Sequence, residues 1–167
     1  MTEITQKLLK EYFEYCDGHL YWIKKSSKYS NTRIGNLFGR LDDQGYRTGR
    51  IFNKDYKEHR LIWLYHYGVW PKDQLDHING IRDDNKIENL RECSPLENSK
   101  NRPSDKNSTS KYKGVSWRKS KNRWISYICS GGKNIYLGSF TNEIEAAEAY
   151  DTKVKELHGK YGRLNFG

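Results

Sequence analysis

The sequence holds few cysteines, few prolines and no long apolar run. Its 167 residues include three cysteines, Cys16, Cys93 and Cys129. They are odd in number, widely scattered and form no CxxC pair, so neither a disulfide framework nor a cysteine zinc site is indicated. That usage fits a reducing compartment, and a cytoplasmic location is expected. No stretch reaches the roughly 18 apolar residues that a membrane-spanning helix needs, so no transmembrane helix and no membrane partner are expected. The opening MTEITQKLLKEYFEY is acidic and basic by turns, which is not a secretory signal. Aliphatic residues are sparse, and the mean hydropathy is −1.03. Aromatics, by contrast, make up 14%. The cores are therefore small and rich in Tyr and Trp, and such domains are marginal on their own.

Acidic residues are missing where they matter most. Between Lys106 and Asn142 there are eight Lys or Arg and no Asp or Glu. The chain as a whole carries a net charge of +9, with a pI near 9.4. An acid-free basic stretch makes a local positive field of the kind that binds phosphates. A solvated surface would have a similar composition. The aromatics interleaved with the basic residues favour nucleic acid.

The polar, turn-rich segment NRPSDKNSTSKYKG holds Pro103 and reads as a linker. It divides the chain into a first domain over 1–103, a linker over 104–110 and a second domain over 111–167. In the first domain a helix is expected from Gln6 to Tyr15, then a strand at GHLYWIKK. Short strands follow, with a hairpin-like turn at Asn53-Lys54. A helix is expected over Lys57 to Gly68, with Leu61, Ile62, Leu64 and Tyr65 on its apolar face and Gly68 as its stop. In the second domain YKGVSWRKS, RWISYICS and NIYLGSF predict a three-stranded antiparallel meander. TNEIEAAEAYDTKVKELHG predicts a helix with Asn142 as N-cap, Glu145 completing a capping box and Gly159 at its end. Ala146 and Ala147 would let it approach the sheet closely.

The stretch LDHINGIRDDNKIENLRECSPLENSKNR, Leu75 to Arg102, carries the chemistry. Hydrolysing a phosphodiester needs a base for the attacking water and positive charge on the phosphate oxygens. A neutral His is a suitable base near pH 7. Mg²⁺ takes hard oxygen ligands, which Asp and Asn side chains supply. Asp76 and His77 are neighbours, so on a regular strand they would face opposite ways. They can share one centre only if the strand ends or bends there, as the following NGIRDDN suggests. The alternative is plain turn chemistry, since Asp and Asn favour turns.

The same stretch resembles the HNH nuclease motif, the ββα-metal fold, and EHRLIWLYHYGVWP looks like the helix preceding it in the homing-endonuclease branch. The resemblance covers residues 8–102. It implies His77 as general base, Asn89 as the clamp of the loop that orients it, and Asp76 with Asn98 as ligands of one divalent ion per site. Asn98 in place of His suits Mg²⁺ or Mn²⁺ better than Zn²⁺. Asn101 competes with Asn98 as a ligand, and motif spacing favours Asn98. Arg82 and Arg102 flank the site, as do Arg91 and Lys100; they are candidates for DNA phosphates or plain solvated charges. His59 and His66 read as packing or backbone-pairing residues, with contact to phosphate the alternative at His59.

Residues 110–166 resemble an AP2 domain, through YKGV, the Trp124 strand, YLGSF, EAAEAYD and HGKYGRLNF in that order. That fold is a three-stranded sheet on one helix, with the sheet set into the DNA major groove. Alternation puts Lys113, Ser116, Arg118, Tyr127, Cys129, Asn134 and Tyr136 on the outer, DNA-facing side. Val115, Trp124, Ile128 and Leu137 are core candidates. Ser116, Cys129 and Asn134 stand where plant members carry Arg, so base readout should be weaker and phosphate contacts more important.

The fold class expected is α+β, an HNH ββα-metal module followed by a small AP2 domain. The expected activity is that of a homing-type endonuclease, of a kind common in phages, leaving 5′-phosphate and 3′-hydroxyl ends. The expected partner is double-stranded DNA, bound by a monomer or weak dimer, and a phage-encoded protein would act in the host cytoplasm. A DNA-binding protein without catalysis is the main alternative, and an RNA-directed protein the second.

Overall fold

The computed structural model describes residues 3–25, 32–105 and 107–166. The chain divides into two compact units, Met1–Ser94 and Pro95–Gly167. The division falls after Ser94, ahead of the segment at 104–110 that the sequence suggests as a linker. Lys106, within that segment, lies outside the described residues. No helix among the described residues is long and apolar enough to cross a membrane.

In the first unit helix α1, Gln6–Tyr12, starts at Thr5, whose hydroxyl accepts the Leu8 N–H. It ends three residues before the expected Tyr15, because Phe13–Cys16 forms strand β1 instead. β1 pairs with β2, His19–Trp22, from Phe13↔Trp22 to Cys16↔His19. Asp17 and Gly18 close this hairpin with φ of 45° and 86°. Two positive φ values make the two-residue turn whose twist matches that of the strands, and Asp-Gly is a preferred sequence for it. The tight hairpin thus overrides the helical spacing of the apolar residues.

Strands β3 (Arg40–Leu41), β4 (Arg47–Ile51) and β5 (Lys54–Lys57) form a second antiparallel sheet in that order. The β4–β5 turn sits at Phe52 and Asn53, both with positive φ, one residue before the expected Asn53-Lys54. Helix α2, Glu58–Tyr67, buries Leu61, Ile62 and Leu64, and Gly68 ends it in the left-handed conformation. Phe13, Trp22 and Phe38 meet at the centre of the core, with Phe13 and Trp22 ring centroids 4.2 Å apart. The polar residues Glu58 and His59 lie buried on the same helix. Strands β6 (Gln74–His77) and β7 (Leu90–Cys93) complete the unit as an antiparallel pair.

The second unit begins with the short helix α3, Pro95–Lys100. Strands β8 (Val115–Arg118), β9 (Arg123–Ser130) and β10 (Lys133–Phe140) then form an antiparallel sheet in the order β10-β9-β8. Helix α4, Glu143–Leu157, packs on it, capped by the Asn142 side chain, which accepts the Ile144 N–H at 2.8 Å. Val115, Trp124 and Phe140 pack on fully buried Ala146 and Ala147, and Ile128 on Tyr150 and Val154. The β9–β10 register shifts between Tyr136 and Gly138, and Leu137 joins this core. The expected three-stranded sheet on one helix is therefore present, and the α+β class holds.

The chain end is tied down by a buried carboxylate. Asp151 on α4 accepts the backbone N–H groups of Asn165 and Phe166. The Asn165 amide in turn pairs with both backbone groups of Lys113. Beside Lys113, Gly114 has φ of +77°, and a Cβ built there would lie 2.1 Å from the Tyr150 ring. Gly132 has a similar φ of +73° but nothing within 4 Å of such a Cβ. Gly114→Ala should therefore destabilise the protein by about 2–5 kcal/mol, the sum of left-handed strain and overpacking. Gly132→Ala should cost only the strain, about 1–2 kcal/mol. Urea midpoints of the two variants measure the difference, and equal midpoints would refute the close contact.

Candidate active site

β6 ends at His77, whose carbonyl accepts the Gly80 N–H at 2.8 Å. The pair Asp76 and His77 therefore stands where the strand gives way to a loop, and both are buried, at 6% and 4% exposed. The loop returns through a 3₁₀ turn at Ile87–Asn89. One side chain holds its two ends together. Asn89 Oδ1 accepts the Asn79 N–H at 3.0 Å, while its Nδ2 donates to the Asp84 carbonyl at 2.7 Å and to Asn79 Oδ1 at 3.0 Å. An amide suits this position because it donates and accepts at once.

His77 has three aromatic or polar neighbours of note. Its Nε2 lies 2.8 Å from Asn85 Oδ1. The His59 ring meets it edge-on at 5.2 Å between centroids, and Tyr46 lies 6.0 Å away. Burial pushes the His77 pKa below the usual histidine value, against the upward pull of Asn85 and of the Asp76 charge. A neutral imidazole follows at pH 7, the form that accepts a proton. His59 is held lower still, at about 3, mainly by burial and then by the neighbouring His77. Its Nδ1 is buried without a hydrogen-bond partner among the described residues.

Behind His77 lies a fully buried carboxylate. Glu58 Oε1 accepts the Leu20 N–H at 2.9 Å, and Oε2 meets Asn85 Nδ2 at 2.9 Å and His19 Nδ1 at 3.0 Å. Burial raises the Glu58 pKa, and those three hydrogen bonds oppose the rise. His19, Glu58 and Asp83 offer ligand atoms within 4.8 Å of one another and could hold a metal ion. Arg47 already stands among them, bidentate to Asp83 at 3.1 and 3.0 Å and 3.6 Å from Glu58 Oε2. A cation at this group would have to displace that guanidinium.

Asp76 faces Arg91 across the hairpin, and Arg91 Nε and Nη2 donate to its Oδ2 at 2.9 and 2.6 Å. Asn98 stands on α3, and the buried Asn101 just beyond it. Asp76 thus belongs to the first compact unit and both Asn candidates to the second. Arg82 is anchored within the first unit, donating to the Gln44 carbonyl at 2.7 Å and lying 4.9 Å over the Tyr46 ring. Arg102 is exposed.

The strand register puts Ser116, Tyr127, Cys129, Asn134 and Tyr136 on the sheet face turned away from α4. Arg118 shares that face, and Tyr127 and Tyr136 are in ring contact at 5.4 Å. Lys113, Ser116, Tyr127 and Asn134 line a cleft of about 570 Å³, together with Lys100 and Ser104. Lys113 is half-buried and donates to the Lys100 carbonyl. Burial first, and then the charges of Arg163 and Arg102, lower its pKa to about 8.

The sequence marks neither Glu58 nor Asn85 as part of a site, and His59 only as a packing residue or a phosphate contact. Two of them left a trace, since Glu58 and His59 precede Leu61 and Ile62 by three residues and so share the buried face of α2. A charged residue in phase with an apolar stripe is rarely buried unless it is paired. Asn85 left no such trace, because it sits in a loop already crowded with Asp and Asn.

The chain matches the HNH endonuclease family over residues 56–100 and the AP2 domain over residues 110–160. It is 34% identical over 119 residues to Protein 3.8 of Escherichia phage T7, spanning 71% of this chain and 98% of that protein. It is 36% identical over 72 residues to the AP2-like ethylene-responsive transcription factor TOE2 of Arabidopsis thaliana. That match spans 43% of this chain but only 14% of the plant protein. The ethylene-responsive transcription factor ERF024 of Arabidopsis thaliana is 42% identical over 57 residues, 33% of this chain and 31% of that protein.

The depressed His59 pKa has a consequence for stability. Between about pH 6.5 and 3 the unfolded chain binds a proton at His59 that the folded chain refuses. Stability is therefore unaffected above pH 6.5 and falls as pH drops through that window, by up to about 1.4 kcal/mol per pH unit. Glu58, displaced upward, acts in the opposite sense. Urea denaturation at pH 7 and pH 5 of the wild type and of His59→Gln isolates the histidine. The wild type should lose more stability than the variant, and equal losses would show that His59 is protonated in the folded protein.

Proposed function

The chain belongs to the HNH endonuclease family and carries a C-terminal AP2 domain, and on that premise we propose that it hydrolyses phosphodiester bonds in duplex DNA with a divalent metal ion. The observation that carries this reading is the placement of His77: a neutral, buried imidazole at a strand end, beside a loop held at both ends by Asn89. His77 takes the proton of the attacking water. Asn89 keeps the loop, and with it the imidazole, in place. Cleavage at the 3′ oxygen leaves 5′-phosphate and 3′-hydroxyl ends.

HNH nucleases are generally dependent on a divalent metal. Asp76 and Asn98 would hold one ion of Mg²⁺ or Mn²⁺, since a carboxylate and an amide carbonyl are the hard oxygen donors such ions take. When bound, that ion supplies positive charge to the phosphate and leaving oxygens. Arg91 competes with it for the Asp76 carboxylate. The His19, Glu58 and Asp83 group fits an ion less well, because Arg47 already balances its charge.

The AP2 sheet docks the protein on duplex DNA through Lys113, Ser116, Arg118, Tyr127, Asn134 and Tyr136, with Arg82 and Arg102 as further phosphate contacts. The homing-type reading is part of the proposal, as is action in a host cytoplasm. A second reading, a DNA-binding protein without catalysis, draws on the Asp76–Arg91 pair, which occupies a proposed metal ligand.

Nicking of supercoiled DNA separates the two. The pool should include the protein's own genomic neighbourhood, with Mg²⁺, Mn²⁺ or EDTA. Metal-dependent nicking is expected, reduced about 10²–10⁴-fold in His77→Ala. Tight duplex binding without cleavage across the pool would leave the non-catalytic reading standing. In the same preparations, Arg118→Ala should weaken duplex binding and lower the slope of log affinity against log salt by about one. An unchanged slope would remove Arg118 from the phosphate contacts.

A further inference from the structure

We propose that Glu58 and Asn85 form a buried relay that fixes His77 in the tautomer protonated at Nε2, which makes Nδ1 the atom that accepts the proton. The inference rests on the reading of His77 as the general base. It goes beyond that reading by assigning two positioning residues and the reacting nitrogen.

Glu58 is 0% exposed, and Arg47 lies 3.6 Å from its Oε2 with opposing charge. Burial raises its pKa, and the hydrogen bonds from Leu20, His19 and Asn85 oppose that rise; as the anion that Arg47 balances, it has no proton to give and only accepts. The Asn85 atom 2.9 Å from Oε2 is therefore the amide nitrogen, which donates. Asn85 is also 0% exposed, and the reversed orientation would set its carbonyl oxygen against the carboxylate oxygen. Once Nδ2 is committed to Glu58, Oδ1 is the atom facing His77 Nε2 at 2.8 Å. A carbonyl oxygen cannot donate, so the proton of that hydrogen bond is on the imidazole nitrogen. In a neutral ring the remaining lone pair is then on Nδ1. With Glu58 ionised each link holds one polarity, and the anion at one end decides the tautomer at the other.

Position along the chain supports this assignment. Glu58 is the first residue of α2, Asn85 lies in the loop between β6 and β7, and His77 ends β6. The other oxygen of Glu58 is held by the Leu20 N–H of β2 at 2.9 Å. The relay therefore starts from a carboxylate held by the sheet and helix rather than from a mobile surface group. At metal-ligating histidines, partners of this kind fix ring orientation and tautomer, and their loss typically costs about 10–100-fold in affinity or activity.

The test has two readouts. Long-range ¹H–¹⁵N NMR spectra of the whole protein above pH 7 report which ring nitrogen of His77 carries the proton. The His77→Ala spectrum assigns the signals. The wild type should show the Nε2–H form. Glu58→Gln keeps the shape but can present either amide atom to Asn85, so Asn85 is free to reverse. It should give a mixture of the two tautomers and nick DNA about 10–100-fold more slowly at saturating DNA, with duplex affinity unchanged. An Nδ1–H form in the wild type overturns the proposal without need of any variant. So does a Glu58→Gln protein that keeps both the wild-type tautomer and the wild-type rate. If the tautomer behaves as stated while the wild type cuts nothing, the relay stands and the catalytic reading of His77 falls.

Discussion

A carboxylate sealed from water must find hydrogen bonds and opposing charge inside the protein, and the first unit is organised around that need at Glu58. The side chain is fully buried at the start of α2. It collects the backbone of β2 at Leu20, the His19 ring, the Asn85 amide and, slightly further off, Arg47. These groups come from the hairpin, the second sheet and the loop after β6. Burying that carboxylate alone would be costly, and its contacts form only where these elements meet. The aromatic core around Phe13, Trp22 and Phe38 supplies apolar burial, while Glu58 supplies the directional contacts that place Asn85 beside His77.

The second unit uses the same device for a different end. Asp151 on α4 gathers the N–H groups of Asn165 and Phe166, and Asn165 passes the connection to the backbone of Lys113. The chain end is thereby fastened beside the start of the sheet. The closely packed Ala146 and Ala147 set the sheet on its helix, leaving Tyr127, Asn134 and Tyr136 on the other face. One buried acid thus orders a neighbourhood in each unit, around a histidine in the first and beside a basic sheet in the second.

Local signals were legible wherever the chain makes its own contacts. Asn142 reads as an N-cap because its partner, Ile144, is two residues away. The three strands of the second unit read as strands because alternation and turn residues are local. The helical spacing of Gln6 to Tyr15 misled for a reason also visible locally: Asp17-Gly18 is a hairpin turn, and the strand it closes reaches back to Phe13. Gly68 marked the end of α2 as written, and the β4–β5 turn missed by a single residue.

The sequence by itself determined the α+β class, the order strand, loop, strand and helix around Asp76 and His77, and the meander on its helix. The meander on its helix follows from periodicity, capping and turn chemistry, which act over a few residues; the order around Asp76 and His77 follows from the resemblance to the HNH motif. Only the tertiary structure decided what surrounds His77. Glu58 is 27 residues from Asn85 and 38 from Leu20, and Asp83 is 36 from Arg47. Residues so far apart meet only when the core brings their elements together, so no spacing in the sequence announces them. The same holds for Arg91 on Asp76: the residues look unrelated along the chain, and the antiparallel register alone sets them opposite each other.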